Sequence, residues 1–166
     1  MPTPRLPSEL KPADVVVTCD TREQLPWSLE PLRVERDCLQ TGDYGLRDLP
    51  DLIRLERKSL ADFVACCGRD RPRFQAEIER LRGFPVKAVI VEATWADLEA
   101  GEWRSQISPA SMLGSTLGWI CSGIPFVLAG NREKASQYAA RILFITARRE
   151  WKKLRGLAES ITEVNA

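Results

Sequence analysis

Short β-branched or alternating apolar runs fill the first third of the chain, and longer stretches with helical spacing follow. Val15, Val16 and Val17, with Thr18 and Cys19, read as a buried strand ending at Asp20. Pro26 and Pro31 then force a loop, because proline resists both helix and central strand. Residues 33–39 suit a second strand. Thr41, Gly42 and Asp43 carry turn chemistry, and a strand opens at Tyr44. Leu49, Pro50 and Asp51 turn the chain again, so residues 52–58 return as the hairpin partner of that strand. Ser59, with Asp62 three positions later, opens a helix to about residue 67. Residues 68–72 interrupt it, and Phe74, Ile78 and Leu81 mark an amphipathic helix ended by Gly83 and Pro85.

Residues 86–91 form the clearest central strand, closing at Glu92. Residues 95–100 predict a short helix, and Ser108 with Pro109 opens another over 110–121. Residues 124–128 read as a short strand, after which Asn131 caps a long helix through about residue 154. Strands first, then alternating helix and strand, predict an α/β fold with a central mixed β-sheet flanked by helices. The domain is expected to span residues 14–155, between an extended lead-in (1–13) and a tail (156–166). Ile142, Leu143, Phe144 and Ile145 are apolar all round the last helix, which fits buried packing and equally a dimer interface.

Composition narrows the chemistry. A 166-residue chain that is 44% hydrophobic and 28% charged can bury a real core. No apolar run approaches the roughly 18 to 20 residues needed to cross a bilayer, so no membrane partner is expected. Residues 1–11 hold three prolines and no apolar segment, unlike a signal peptide. The five cysteines are scattered without a C-x-x-C pair, so reduced thiols in an intracellular compartment are expected. The net charge of +1 does not by itself suggest nucleic acid. Arginines and lysines cluster locally, at Arg69, Arg71, Arg73, Arg80 and Arg82, and again at Arg148, Arg149, Lys152, Lys153 and Arg155. Such runs are usually solvated helix faces.

The chain has no histidine. That excludes Ser-His-Asp and Cys-His catalysis and the common imidazole-bearing zinc sites. A catalytic metal would be held largely by oxygens, which favours Mg²⁺ or Mn²⁺. Glu56 and Lys58, two apart on a predicted strand, leave its same face. They suit an ion pair, or a carboxylate holding a divalent cation beside an amine facing a phosphate. Asp43 opens the preceding strand, where the turn can bring it next to Glu56, and two converging carboxylates repel unless a cation intervenes.

Gly42-Asp43-Tyr44, then Glu56-Arg57-Lys58, then Asp62, resemble the G-D-x(n)-E-R-K-x-x-x-D motif of XPF-type structure-specific endonucleases, a branch of the restriction-endonuclease-like PD-(D/E)xK fold. Asp20-Thr21-Arg22-Glu23 is similar to that family's D-x-R-E element, and Arg73-Phe74 to its arginine-led helix. Residues 85–92, 108–114 and 123–133 resemble its later elements, so the likeness covers roughly residues 14–154.

The resemblance implies a metal-dependent DNA endonuclease of repair or recombination that acts on branched or junction DNA. Asp43, Glu56 and the peptide carbonyl of Arg57 would be the Mg²⁺ or Mn²⁺ ligands, with Asp20 beside the metal as an outer carboxylate. Lys58 would orient the attacking water and steady charge on the phosphorus. Arg22, Arg57 and Arg73 would contact DNA, although a solvated helical arginine explains Arg73 almost as well. An ordinary turn role explains Glu23, and helix capping explains Asp62, as readily as a functional one. Glu77 stands where many relatives carry glutamine, a departure away from the metal motif.

The family usually adds tandem helix-hairpin-helix units, which these residues do not include. Selectivity would then rest on a homodimer through the C-terminal helices or on a separate DNA-binding partner. The rival reading is a non-catalytic DNA-binding or scaffold subunit, against which the full set of acids and lysine argues. A nucleotide-binding domain is disfavoured because no G-x-G-x-x-G or G-x-x-x-x-G-K-[ST] loop is present.

Overall fold

A computed structural model describes residues 7–164, with side chains to Ile161. Six strands form one mixed sheet: β1 (Val16–Asp20), β2 (Arg33–Asp37), β3 (Tyr44–Leu46), β4 (Ile53–Lys58), β5 (Val86–Val91) and β6 (Phe126–Leu128). Their spatial order is β2-β1-β3-β4-β5-β6. β3 runs antiparallel to both β1 and β4, and every other neighbouring pair is parallel. Five helices flank the sheet: α1 (Leu60–Cys67), α2 (Arg71–Leu81), α3 (Trp95–Ala100), α4 (Pro109–Cys121) and α5 (Arg132–Val164). The predicted α/β class, with its mixed sheet between helices, is the observed one.

Each face of the sheet has its own core. On one face Val17, Cys19, Tyr44, Leu46, Ile53, Leu55 and Ile90 pack beneath Ala135, Ala139, Leu143 and Ala147 of α5. Alanines at four-residue spacing let that long helix lie close to the strands. On the other face Val89 and Val91 meet Phe63 of α1, Phe74 and Ile78 of α2, and Met112 and Trp119 of α4. Phe74 meets Trp119 edge-on with ring centroids 5.0 Å apart, an arrangement worth more than its buried area alone.

Several boundaries differ from the sequence reading, each for a local reason. β2 stops at Asp37 because its carboxylate takes the Cys38 N–H (2.7 Å), while the Leu39 N–H turns back to Asp20 (2.7 Å). α2 begins at Arg71, inside the expected interruption, because Pro72 falls in its first turn, where no amide hydrogen is required. β6 starts at Phe126, since the Ile124 N–H returns to the Trp119 carbonyl of α4. A 3₁₀ turn at Pro12–Asp14 lies within the expected extended lead-in, whose residues 1–6 are outside the described ones.

The largest departure is at the C-terminus. Residues 156–164, expected as a tail, continue α5 to Val164, and residues 165–166 lie outside the described range. Gly156 costs that helix only about 1 kcal/mol, and the Arg155–Glu159 pair one turn apart supports it. Leu143 is buried, whereas Ile145 is exposed. Among the described residues no helix is long and apolar enough to cross a membrane, and all five cysteines are free.

Candidate active site

The site gathers where β3 begins and β4 ends. Gly42 sits at φ +71°, a conformation open mainly to glycine, and turns the chain into Asp43. The Asp43 N–H then donates to the Leu55 carbonyl of β4 (2.9 Å), and its carbonyl accepts from Asp20 of β1 (2.8 Å). One residue thereby bridges two strands. Its carboxylate Oδ2 accepts from the Arg57 N–H (2.7 Å), filling a ladder position that another β3 residue would occupy.

Side chains of β4 alternate between the faces. Glu56 and Lys58 point toward α2, where the Lys58 ammonium stands 5.2 Å from the Phe74 ring centroid. Glu56 is only 2% exposed. Its Oε1 takes the Lys58 ammonium, while its buried Oε2 has no hydrogen-bond partner among the described residues. Burial, and then the charge of Asp43, push the Glu56 carboxyl well above its usual range. Burial likewise lifts Asp43 to about 6, against the Arg57 N–H and the Lys58 charge. Burial works to strip Lys58 of its proton, but Glu56 and Glu77 outweigh it and hold the amine more firmly protonated than usual.

Glu77 is a site neighbour that the sequence reading placed away from the motif. Its Oε2 lies 3.9 Å from the Lys58 ammonium, and its charge acts on both Asp43 and Glu56. Glu77 follows Phe74 by three residues on α2, so both face the end of β4. That helical spacing was the signal available in the sequence.

Asp20 is turned to other work. Its carboxylate accepts from the Leu39 N–H (2.7 Å) and from Arg22 through N–H (2.7 Å), Nε (2.8 Å) and Nη2 (3.1 Å). Four donors fill the sites of a carboxylate, leaving none for direct metal ligation. Burial alone would raise the Asp20 pKa, but these bonds hold it below its usual range. Arg22, although 68% exposed along its side chain, is therefore partly committed to Asp20.

Arg57 departs most from the expected DNA contact. On the face toward α5, its guanidinium donates to Glu92 through Nε (2.8 Å) and Nη2 (3.2 Å) and to Glu23 through Nη1 (3.3 Å). The Trp27 indole N–H also donates to Glu92 (2.8 Å), and Arg132 of α5 stands 3.5 Å from it. Glu23, whose turn role is also real because it accepts the Leu25 N–H (2.8 Å), is thus part of a buried ionic cluster. Trp27 was not singled out from sequence, since a loop tryptophan carries no motif, and Glu92 was read only as the acid that closes the 86–91 strand. Asp62 is exposed and caps α1 with Ser59. Arg73 is 80% exposed and, among the described residues, pairs with Asp70 (3.7 Å).

No family model and no curated protein sequence matches this chain. Among solved structures, XPF from Aeropyrum pernix superimposes with a TM-score of 0.66 at 21% identity, over 80% of this chain. The fold is XPF-like. This chain covers 62% of that XPF chain, less than two thirds of its length. At this identity the likeness to XPF is one of fold, and the chemistry must be argued from the side chains.

Among the described residues, no three cysteine, aspartate or glutamate side chains are grouped so as to hold a metal by themselves. The buried Glu56 carboxyl and the half-buried Asp43 carboxyl nevertheless neighbour one another, and one Glu56 oxygen has no partner among the described residues. The Arg57 carbonyl leaves β4 on the same side as that of Leu55, toward Asp43, because successive carbonyls alternate. Such an all-oxygen donor set suits a hard divalent cation, which normally completes its shell with water and phosphate oxygens.

Proposed function

We propose that this protein is a Mg²⁺- or Mn²⁺-dependent DNA endonuclease that hydrolyses phosphodiester bonds at branched or junction DNA. The observation that carries the reading is the buried Oε2 of Glu56, which has no partner among the described residues, beside the half-buried Asp43. Leaving a buried acceptor unpaired is costly, and mutual repulsion of two carboxylates adds to that cost. Asp43, Glu56 and the Arg57 carbonyl would hold the cation, which when bound supplies charge neutralisation at the phosphoryl group and a more acidic water.

The protein's own part is orientation and charge. Lys58, beside Glu56 at the end of β4, would donate to a phosphoryl oxygen and stabilise negative charge as it accumulates. Asp20 braces Arg22 at the rim, where the guanidinium edge meets the DNA backbone, and Arg73 adds an outer phosphate contact. A homodimer through α5 or a separate DNA-binding partner would supply structure selectivity.

The test is incubation of the full chain with flap, fork, Holliday and linear DNAs in Mg²⁺, Mn²⁺ or chelator. Cleavage of a branched substrate is expected with either metal and none in chelator. No cutting of any substrate with either metal would leave the scaffold reading in its place.

A further inference from the structure

Arg54 is a buried cation that the proposed chemistry does not use. It lies two residues before Glu56 on β4, on the same face, and is 7% exposed. Its guanidinium stacks 4.7 Å from the Phe84 ring centroid. Nη1 donates to the carbonyl of Ile53 (2.9 Å), and the buried Nε has no partner. Among the described residues no carboxylate pairs with it. Burial accordingly makes the guanidinium somewhat less basic than usual.

The neighbouring strand is shaped around this group. A Cβ on Gly45 of β3 would stand 2.0 Å from Arg54 Nη1, so glycine there makes room for the guanidinium. The stem of Arg54 passes Gly42, whose own added Cβ would lie 3.4 Å from Arg54 Cδ. Next to Gly42, Thr41 holds Arg80 of α2 through Nε (3.0 Å). A second arginine therefore flanks the same turn.

We propose that Arg54 binds a backbone phosphate of the nucleic acid, upstream of the scissile one on the same strand. A buried guanidinium with an unused donor and no paired carboxylate, on which only the charge of Asp51 acts from a distance, is a preorganised anion site. The two-residue step from Arg54 to Glu56 is about 6.6 Å, comparable with about two nucleotides of axial rise. The placement next to the scissile phosphate rests on the nuclease reading. The anion site itself requires only that nucleic acid is bound.

The experiment is fluorescence anisotropy of a 5′-labelled forked duplex in chelator over a series of salt concentrations. Wild type is compared with Arg54→Met, Arg54→Lys and Gly45→Ala. Arg54→Met should weaken binding about tenfold and reduce the salt slope by about one. Gly45→Ala keeps the charge but displaces the guanidinium, and should weaken binding in the same direction. Arg54→Lys should retain most of the salt slope. Thermal melting separates binding from packing: exchanging an unpaired buried cation for an apolar side chain should leave the midpoint unchanged or raised. Equal affinity and slope in wild type and Arg54→Met would overturn this proposal while leaving the nuclease reading intact. If wild type fails to bind the fork, the anion site falls, and the nuclease reading is decided by cleavage in Mg²⁺. Binding without cleavage in Mg²⁺ removes only the nuclease reading.

Discussion

Oδ2 of Asp43 accepts the peptide N–H of Arg57 at 2.7 Å, so a side chain takes a backbone's place in the ladder between β3 and β4. This bond fixes the carboxylate against the strand that carries Glu56 and Lys58. Asp43→Asn keeps an oxygen for that bond while removing the charge. Cleavage should fall at least about a thousandfold, as expected when a group acting only in the reaction is lost. The metal-free variant should be more stable than wild type at pH 7, because one half-buried, desolvated charge is gone. Initial rates and denaturant midpoints measured together check both halves, and a variant with normal rates removes Asp43 from the chemistry.

Burial of Asp43 gives the metal-free protein a defined pH dependence. Its pKa rises from 3.8 to about 6, so the folded state holds the proton more tightly than the unfolded chain. The associated stability is fully present below about pH 4, declines as pH rises toward 6, and is then gone. The full loss is about 3 kcal/mol. Asp20 works in the opposite sense, since its lowered pKa removes stability as pH falls through the acid range. Chelated protein should therefore be most stable in mildly acid solution. Added Mg²⁺ should stabilise it most above pH 6, where protons no longer compete. Melting curves from pH 4 to 8 with and without metal measure this, and a flat profile would show that Asp43 does not titrate in that window.

Gly42 permits the turn that aims Asp43. An alanine there would hold φ +71° only under strain, with its Cβ 3.1 Å from the Leu55 carbonyl oxygen. Gly42→Ala should lose about 1–2 kcal/mol of stability, and cleavage should fall further than stability because the carboxylate is displaced. A rate equal to wild type at a temperature where both are folded would argue against this positioning role.

Periodicity and turn residues made the sheet and most helices legible, because nearly every strand is bounded by Pro, Gly, Asp or Ser. Asp43, Glu56 and Lys58 were legible from the spacing of a hairpin, and the structure brings these three together. Asp20 lies beside them in the chain's path, yet nothing in the sequence showed that Leu39, nineteen residues on, would donate to its carboxylate. Arg57 was legible as a neighbour, but its direction depended on which strand face meets Trp27 and Glu92, and that is decided by tertiary packing. The end of α5 was missed because residues 156–164 open on Gly156 and carry two glutamates, a composition that a tail shares.

Glu77 should tune the site and leave the chemistry itself running. Its charge raises the proton affinity of Asp43 and Glu56 and lies near Lys58. Glu77→Gln should shift the metal-free stability decline to lower pH and change the cleavage rate by less than about tenfold. A loss comparable to that of Asp43→Asn would place Glu77 among the metal ligands.

Arg57 joins the site to α5 and the loop before β2, so its removal should act through the fold. Its guanidinium is shared by Glu92 and Glu23, both largely buried, and Trp27 presents its ring 5.9 Å away. Arg57→Ala leaves Glu23 without its cation and Glu92 with only Arg132, 3.5 Å away, and should cost about 3 kcal/mol. A DNA-contacting arginine behaves differently: its loss weakens binding, lowers the salt slope by about one and barely moves the melting temperature. Arg57→Ala should instead melt early and keep the wild-type salt slope for as long as it stays folded. Because the Arg57 peptide also carries the bond to Asp43, cleavage should decline on warming before the global transition. A stable Arg57→Ala with a reduced salt slope would return this side chain to the DNA surface.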